Sequence, residues 1–280
     1  MRQAAIIGAG ELGGATAHFL ARRDYAQSIV IVDERDRVAA GKALDIAQAA
    51  PIEGFATQMT SGADVSMAAG ADVIVIAERA QGGEWTGEEA FGLVKRIAAS
   101  APGAVIVLAG PSSRETIERS VVEGGIARRR LIGSAPEALT ASARALAALA
   151  VSGSPRDAAL AVLGVPPSHV VIAWENATIA GFALAPLIDE PTRRRLTDQV
   201  RAMWPPGPHA LAAAAVKTIA AIEGRSRQLV SAFVGPDDTM GTRARTAAVP
   251  IRVGPGGVIE TVIPELSVVE RVALDNAMMR

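Results

Sequence analysis

Cysteine is absent from the 280 residues, histidine occurs three times and aromatic side chains number nine. Without cysteine there is no disulfide, no thiolate metal ligand and no cysteine nucleophile. His18, His169 and His209 are too few and too scattered for a histidine metal centre, so no metal is expected. The 28 basic and 29 acidic side chains leave a formal charge of -1. That balance, with so few aromatics, argues against a nucleic-acid surface. No apolar run reaches the roughly 18–20 residues that a membrane span needs. The N-terminal "AAIIGAG" is too short for a secretion signal and is interrupted by Glu11. The absences together predict a soluble, cytoplasmic protein that engages neither nucleic acid nor membrane. Lysine is also scarce (Lys42, Lys95 and Lys217) beside abundant arginine and alanine, a bias we attribute to genomic base composition.

Half of the residues are apolar, which is enough for a large buried core. In the first half, short apolar runs alternate with helical patterns. "QAAIIGAG", "SIVIVDE", "ADVIVIAE", "AVIVLAG" and "RRRLIGSAP" read as strands. "ELGGATAHFLARRD", "DRVAAGKALDIAQAA", closed by Pro51, and "GEEAFGLVKRIAAS" read as helices. Continuous apolar strands spaced by helices predict a parallel sheet covered on both faces. After Pro136 the pattern changes to an alanine-rich helix (138–151), the strand pair in "VLGVPPSHVVIAW" and helices near 190–203 and 208–223. Three strand-like runs, "RQLVSAFVG", "TAAVPIRVG" and "GVIETVIP", precede a last helix. The expected fold is therefore α/β, with an N-terminal Rossmann doubly wound parallel sheet over 1–135 and a C-terminal α+β domain over 136–280.

Gly8-Ala9-Gly10-Glu11-Leu12-Gly13 fits the pattern GxGxxG at the end of a strand and the start of a helix. Gly8 suits the tight turn and Gly10 a close approach of backbone to a pyrophosphate. Gly13 suits close helix–sheet packing, and the helix N-terminus attracts the anion. Asp33 ends the next strand 20 residues after Gly13, where a carboxylate can accept from ribose hydroxyls. Its charge opposes a 2′-phosphate, which favours NAD over NADP, although Arg35 and Arg37 stand close enough to leave NADP open. Gly8, Gly10, Glu11, Leu12, Gly13, Asp33 and Ala77 form the candidate cofactor-binding set.

On "AAIIGAGELGGATAHFL", "IVIVDE", "GKALDIAQAAP", "GSPRDAALAVLG", "WENATIAG" and "VPIRVGPGGVIETV", the chain resembles the NAD-dependent lactate/malate dehydrogenase family over nearly its whole length. The resemblance implies hydride transfer between NAD and a 2-hydroxy or 2-oxo acid. It also implies a histidine held by an aspartate as proton carrier, arginines on the substrate carboxylate, and a homo-oligomer, dimer or tetramer.

Aligned to that family, the chain departs at each of these positions. Gln81 and Gly87 fall on the loop arginines, with Arg79 too early to replace them, and Gly110 falls on an asparagine. Without a gap Leu139 falls on the aspartate and Ser142 on the arginine; a two-residue gap brings in Arg144 and leaves Ala141 for the acid. Pro166 falls on the histidine, and His169 lies three residues later, on the opposite face of a strand. No catalytic residue is assigned, with Arg144 and His169 as weak candidates. His209, beside prolines, reads as a first-turn helix residue. Two readings stand: a catalytically silent or regulatory NAD-binding relative, which fits the substitutions better, and an NAD-dependent oxidoreductase for a different carbonyl or hydroxy substrate. The latter would draw its polar groups from Glu78, Arg79, Glu84, Arg144 or His169. The small-molecule substrate is not specified by the sequence.

Overall fold

The computed structural model describes residues 1–237 and 245–279. Its first part runs β1 (Gln3–Ile7), α1 (Glu11–Ala21), β2 (Ser28–Val32), α2 (Asp36–Glu53), β3 (Gln58–Gly62), β4 (Val73–Ile76), α3 (Gly87–Ser100), β5 (Val105–Leu108), α4 (Ser113–Val122) and β6 (Leu131–Gly133). The six strands pair in parallel in the order β3-β2-β1-β4-β5-β6. β4 and β5 are buried along their whole length and β1 and β2 over all but their first residue. Both faces of the sheet are covered, which is why these strands read as unbroken apolar runs rather than alternating ones.

The second part continues with α5 (Ala135–Ala150), β7 (Ala158–Ala159), β8 (Val162–Val165), β9 (His169–Ile172), β10 (Thr178–Ile179), β11 (Phe182–Ala183), α6 (Glu190–Ala202), α7 (Pro208–Ile222), β12 (Val230–Val234), β13 (Ala247–Gly254), β14 (Gly257–Thr261) and α8 (Val268–Met278). β12 joins β6 antiparallel through Phe233 and Gly133, and β13, β8 and β9 extend the same sheet. Among the described residues that sheet has eleven strands, and β7, β10 and β11 form a separate small one.

α7 explains how the parts interlock. Leu211, Ala212, Ala215, Val216 and Ile219 are buried in one cluster with Leu12, Ala17 and Leu20 of α1. Small side chains bring the two helix backbones close, so the alanine run is a packing surface. Trp204, between α6 and α7, packs against all three core clusters. Its ring meets Phe233 edge-on at 6.1 Å, a geometry favoured by the ring quadrupoles.

Three local expectations need amendment. α2 does not close at Pro51; it runs on to Glu53 and ends on Gly54, whose φ of 78° supplies the left-handed cap. In the final turn a proline removes only one hydrogen bond, and the glycine beyond it sets the stop. β3 and α4 went unread because both are polar: β3 is an edge strand with no fully buried residue, and α4 buries Ile117 among hydroxyl side chains. The expected helix at 138–151 begins three residues earlier, at Ala135, with Pro136 in its first turn, where a missing N–H is harmless.

Candidate functional site

The winding of the parallel sheet reverses between β1 and β4, so the loops leaving their C-terminal ends part to form a crevice. Four segments meet there: the glycine turn after β1, Asp33 after β2, Ala77 to Trp85 after β4, and Gly110 to Ser113 after β5.

Two glycines of the turn are demanded by contact. Gly8 has φ 107°, and a Cβ there would stand 2.2 Å from the Glu78 carbonyl oxygen; one on Gly13 would stand 2.0 Å from the Gly8 carbonyl. The Gly10 amide donates to the Glu78 carbonyl at 3.1 Å, and the Ala77 amide to the Ile7 carbonyl at 2.9 Å. The turn is thus clamped against the chain leaving β4. Gly10 caps α1 without any side-chain hydrogen bond of its own, Leu12 is buried and Glu11 is exposed.

Asp33 is 4% exposed. Its Oδ2 accepts from the amides of Ala9 and Ala80, each at 2.8 Å, and its Oδ1 from the Arg35 amide at 2.9 Å. The acid therefore ties together the turns after β1, β2 and β4. The residue expected to accept from a ribose thus also serves as a structural tie, engaged with three backbone amides.

Two further acids enter the crevice. Glu78 turns its carboxylate onto α1, where Oε1 accepts from the Leu12 amide at 2.7 Å. Its Oε2 is buried and, among the described residues, has no hydrogen-bond partner. Burial pushes the Glu78 carboxyl above the usual glutamate range; its own backbone amide and the Leu12 amide oppose the rise, nearby Glu84 adds to it, and Lys42 offsets it further. Glu84 accepts from the Ser112 amide at 3.1 Å and its hydroxyl at 3.2 Å, and burial raises its carboxyl as well. A Cβ on Gly110 would stand 2.0 Å from the Glu84 Oε2, so the missing side chain at Gly110 makes the room that Glu84 fills. The sequence offers Glu78 and Glu84 only as possible polar groups for another substrate, without placing either on the glycine turn or on Ser112. The available signal was a charged residue directly after a buried strand, at the mouth of a nucleotide crevice.

The remaining candidates lie elsewhere or are already engaged. The Arg79 guanidinium pairs with Glu89 at 3.0 Å and lies over the Trp85 ring at 5.3 Å; Gln81 and Gly87 are exposed. Arg144 lines a cavity of about 490 Å³ with Glu137, Lys217, Arg156 and Asn176. Its Nε donates to the Ala158 carbonyl at 2.7 Å and its Nη2 to that of Pro155 at 3.3 Å, which makes it a loop brace. Leu139 is fully buried in a core cluster with Val162, Val170 and Trp174. The Ser142 hydroxyl donates to the Ala138 carbonyl. Pro166 is buried in the β8–β9 turn. His169 pairs with Val165 across that hairpin, and among the described residues nothing hydrogen-bonds its imidazole. His209 opens α7, its ring 6.1 Å from that of Phe19. Among the described residues no group of three metal-ligating side chains forms, and no helix is long and apolar enough to cross a membrane.

A parallel sheet in this strand order, a glycine turn at its switch point and an acid ending β2 define a Rossmann dinucleotide-binding fold. Comparison with known proteins takes the assignment further. Residues 2–111 match the lactate/malate dehydrogenase NAD binding domain. Malate dehydrogenase of Thioalkalivibrio sulfidiphilus is 30% identical over 210 residues, covering 72% of this chain and 68% of that protein. Malate dehydrogenase of Thermomicrobium roseum is 29% identical over 99% of this chain and 94% of its own length. The solved malate dehydrogenase of Salinibacter ruber superposes with a TM-score of 0.87 at 24% identity, over 98% of this chain and 93% of that one. The chain belongs to the lactate/malate dehydrogenase family, and its cofactor is NAD.

The crevice fits that cofactor in its backbone: side chains are missing where the turn must stay close to the sheet, and α1 presents amides that no hydroxyl side chain caps. One group interferes. Glu78 holds the Leu12 amide, one of those that such a helix end offers to a phosphate.

Proposed function

We propose that this protein is a catalytically silent, NAD-binding member of its family, working as a regulatory or binding protein rather than as a lactate or malate dehydrogenase. The observation that carries this reading is the pair Leu139 and Pro166. In the ungapped alignment these stand for the aspartate and histidine that move the proton, and both are buried without a titratable group. A leucine in a core cluster cannot orient a base, and a proline side chain neither donates nor accepts a proton. Arg144, the remaining candidate for the substrate arginine, supports the same reading because its guanidinium is bonded to backbone carbonyls. Residues 1–135 serve as the cofactor half and 136–280 as the half that would shape a substrate pocket. When bound, NAD would supply a hydride acceptor or donor. The α1 amides, with Gly8, Gly10 and Gly13, would hold its phosphates, and Asp33 its ribose.

One observation favours the alternative, an oxidoreductase for another carbonyl or hydroxy substrate. Glu84 is a half-buried acid with a raised pKa beside Ser112, and such groups are suited to proton transfer. A homo-oligomer belongs to either reading, supported by exposed Leu44 and Ile52 on α2 and Val268, Val269 and Val272 on α8.

NADH titration followed by fluorescence, then NADH oxidation across a panel of 2-oxo acids, tests the function. Saturable binding without turnover is expected. Turnover of pyruvate or oxaloacetate at about 1 per second or faster, the ordinary enzyme range, would refute silence.

A further inference from the structure

We propose that Glu78 is an internal occupant of the cofactor's phosphate position, so that its carboxylate competes with NAD for the N-terminus of α1 and sets how tightly the cofactor binds. This rests on the assignment of NAD to the glycine turn and concerns what this chain has added to it.

The placement is specific. Oε1 lies 2.7 Å from the Leu12 amide, in the first turn of the helix that follows the glycine turn. A Cβ on Gly10 would stand 2.1 Å from that same oxygen and 2.4 Å from the carboxyl carbon. The space left open by a glycine at this position, through which a ligand phosphate approaches the backbone, therefore holds the Glu78 carboxyl. Glu78 reaches it directly from the end of β4, on the other side of the switch point from β1.

The contact is also poorly satisfied. A carboxylate that only caps a helix keeps its second oxygen in water or on another donor. Here Oε2 is buried and, among the described residues, has no hydrogen-bond partner, and Glu84 brings a like charge nearby. A phosphate offers the same helix end more charge and more acceptor oxygens, and it is favoured there by the helix dipole. Lys42 gives the displaced side chain somewhere to go. Its ammonium lies over α1, 2.9 Å from where a Gly14 Cβ would be, and it already attracts Glu78.

NADH binding to the wild type, Glu78→Ala and Glu78→Gln, measured by fluorescence and by calorimetry, decides the matter, with ADP-ribose as a probe that carries the pyrophosphate without the nicotinamide. Melting curves and far-UV circular dichroism establish that each variant is folded, and Glu78→Gln keeps the side-chain shape should Glu78→Ala fail to fold. Removal of a charged competing hydrogen bond should tighten binding about tenfold or more for NADH and ADP-ribose alike, with Glu78→Gln between wild type and Glu78→Ala. If the wild type binds NADH and the variants bind equally or more weakly, Glu78 is only a helix cap; the proposal then fails and the cofactor assignment stands. If neither wild type nor any variant binds NADH or ADP-ribose at millimolar concentration, the proposal and the cofactor assignment fall together.

Discussion

Replacing Glu137 with alanine removes the acid that ties α5 to α7 and to β12. The Glu137 side chain is 4% exposed; Oε1 accepts from the Lys217 ammonium at 2.5 Å and Oε2 from the Ser231 amide at 2.9 Å. Alanine would leave the buried Ser231 amide without an acceptor, a loss of about 1–3 kcal/mol. It would also leave Lys217 without its counter-ion; breaking a buried pair costs about 3–5 kcal/mol. The Lys217 side chain is 27% exposed, so its ammonium can recover some hydration and the lower part of that range applies. The two losses share one carboxylate and are not additive, which puts Glu137→Ala about 3 kcal/mol below wild type. Glu137→Gln keeps an acceptor for only one of the two donors and still leaves Lys217 without its counter-ion, so it should lose about 2 kcal/mol. Urea unfolding followed by tryptophan fluorescence measures both. Stability of Glu137→Ala within about 0.5 kcal/mol of wild type, the range of an ordinary surface change, would refute this account of the pair.

Two further predictions concern the crevice and the hairpin. Burial raises the Glu84 carboxyl above its unfolded value, so the folded state binds that proton more tightly. The stability it contributes is complete below the ordinary glutamate pKa and is lost as pH rises through the raised value. Glu84→Gln mimics the protonated acid, so its melting temperature should exceed that of wild type at about pH 8 and converge on it towards about pH 5; a pH-independent difference would contradict the sign. Pro166→His should leave NADH oxidation with pyruvate or oxaloacetate at background on the reading proposed above, because neither Leu139, buried in a core cluster, nor Ala141 offers an acid to orient the new imidazole. Turnover by that variant in a coupled absorbance assay would mean that another group orients the histidine.

Much of this protein can be read along the chain. β1, β2, β4 and β5 announce themselves as unbroken apolar runs because helices cover both faces, and the GxGxxG turn falls where strand meets helix. The hairpin in "VLGVPPSHVVIAW" is legible too, as two apolar runs joined by a proline turn, and it forms as β8 and β9. Such signals arise from residues a few positions apart, where periodicity and turn geometry act. The acids that bridge distant segments obey a different logic. Leu12 and Glu78 are 66 residues apart, Asp33 and Ala80 are 47, and Glu137 and Ser231 are 94. No local pattern distinguishes Glu78 on the helix end from a solvated loop acid, and none turns Asp33 inward. Those outcomes depend on strand order, which sets the ends of β1 and β4 side by side, and on burial, which makes a nearby amide the best partner left to a carboxylate. The sequence by itself determined the fold and the family, because both are written in local periodicity and turn motifs; the tertiary structure decided that Glu78 meets the glycine turn, because only the folded sheet brings the two into contact.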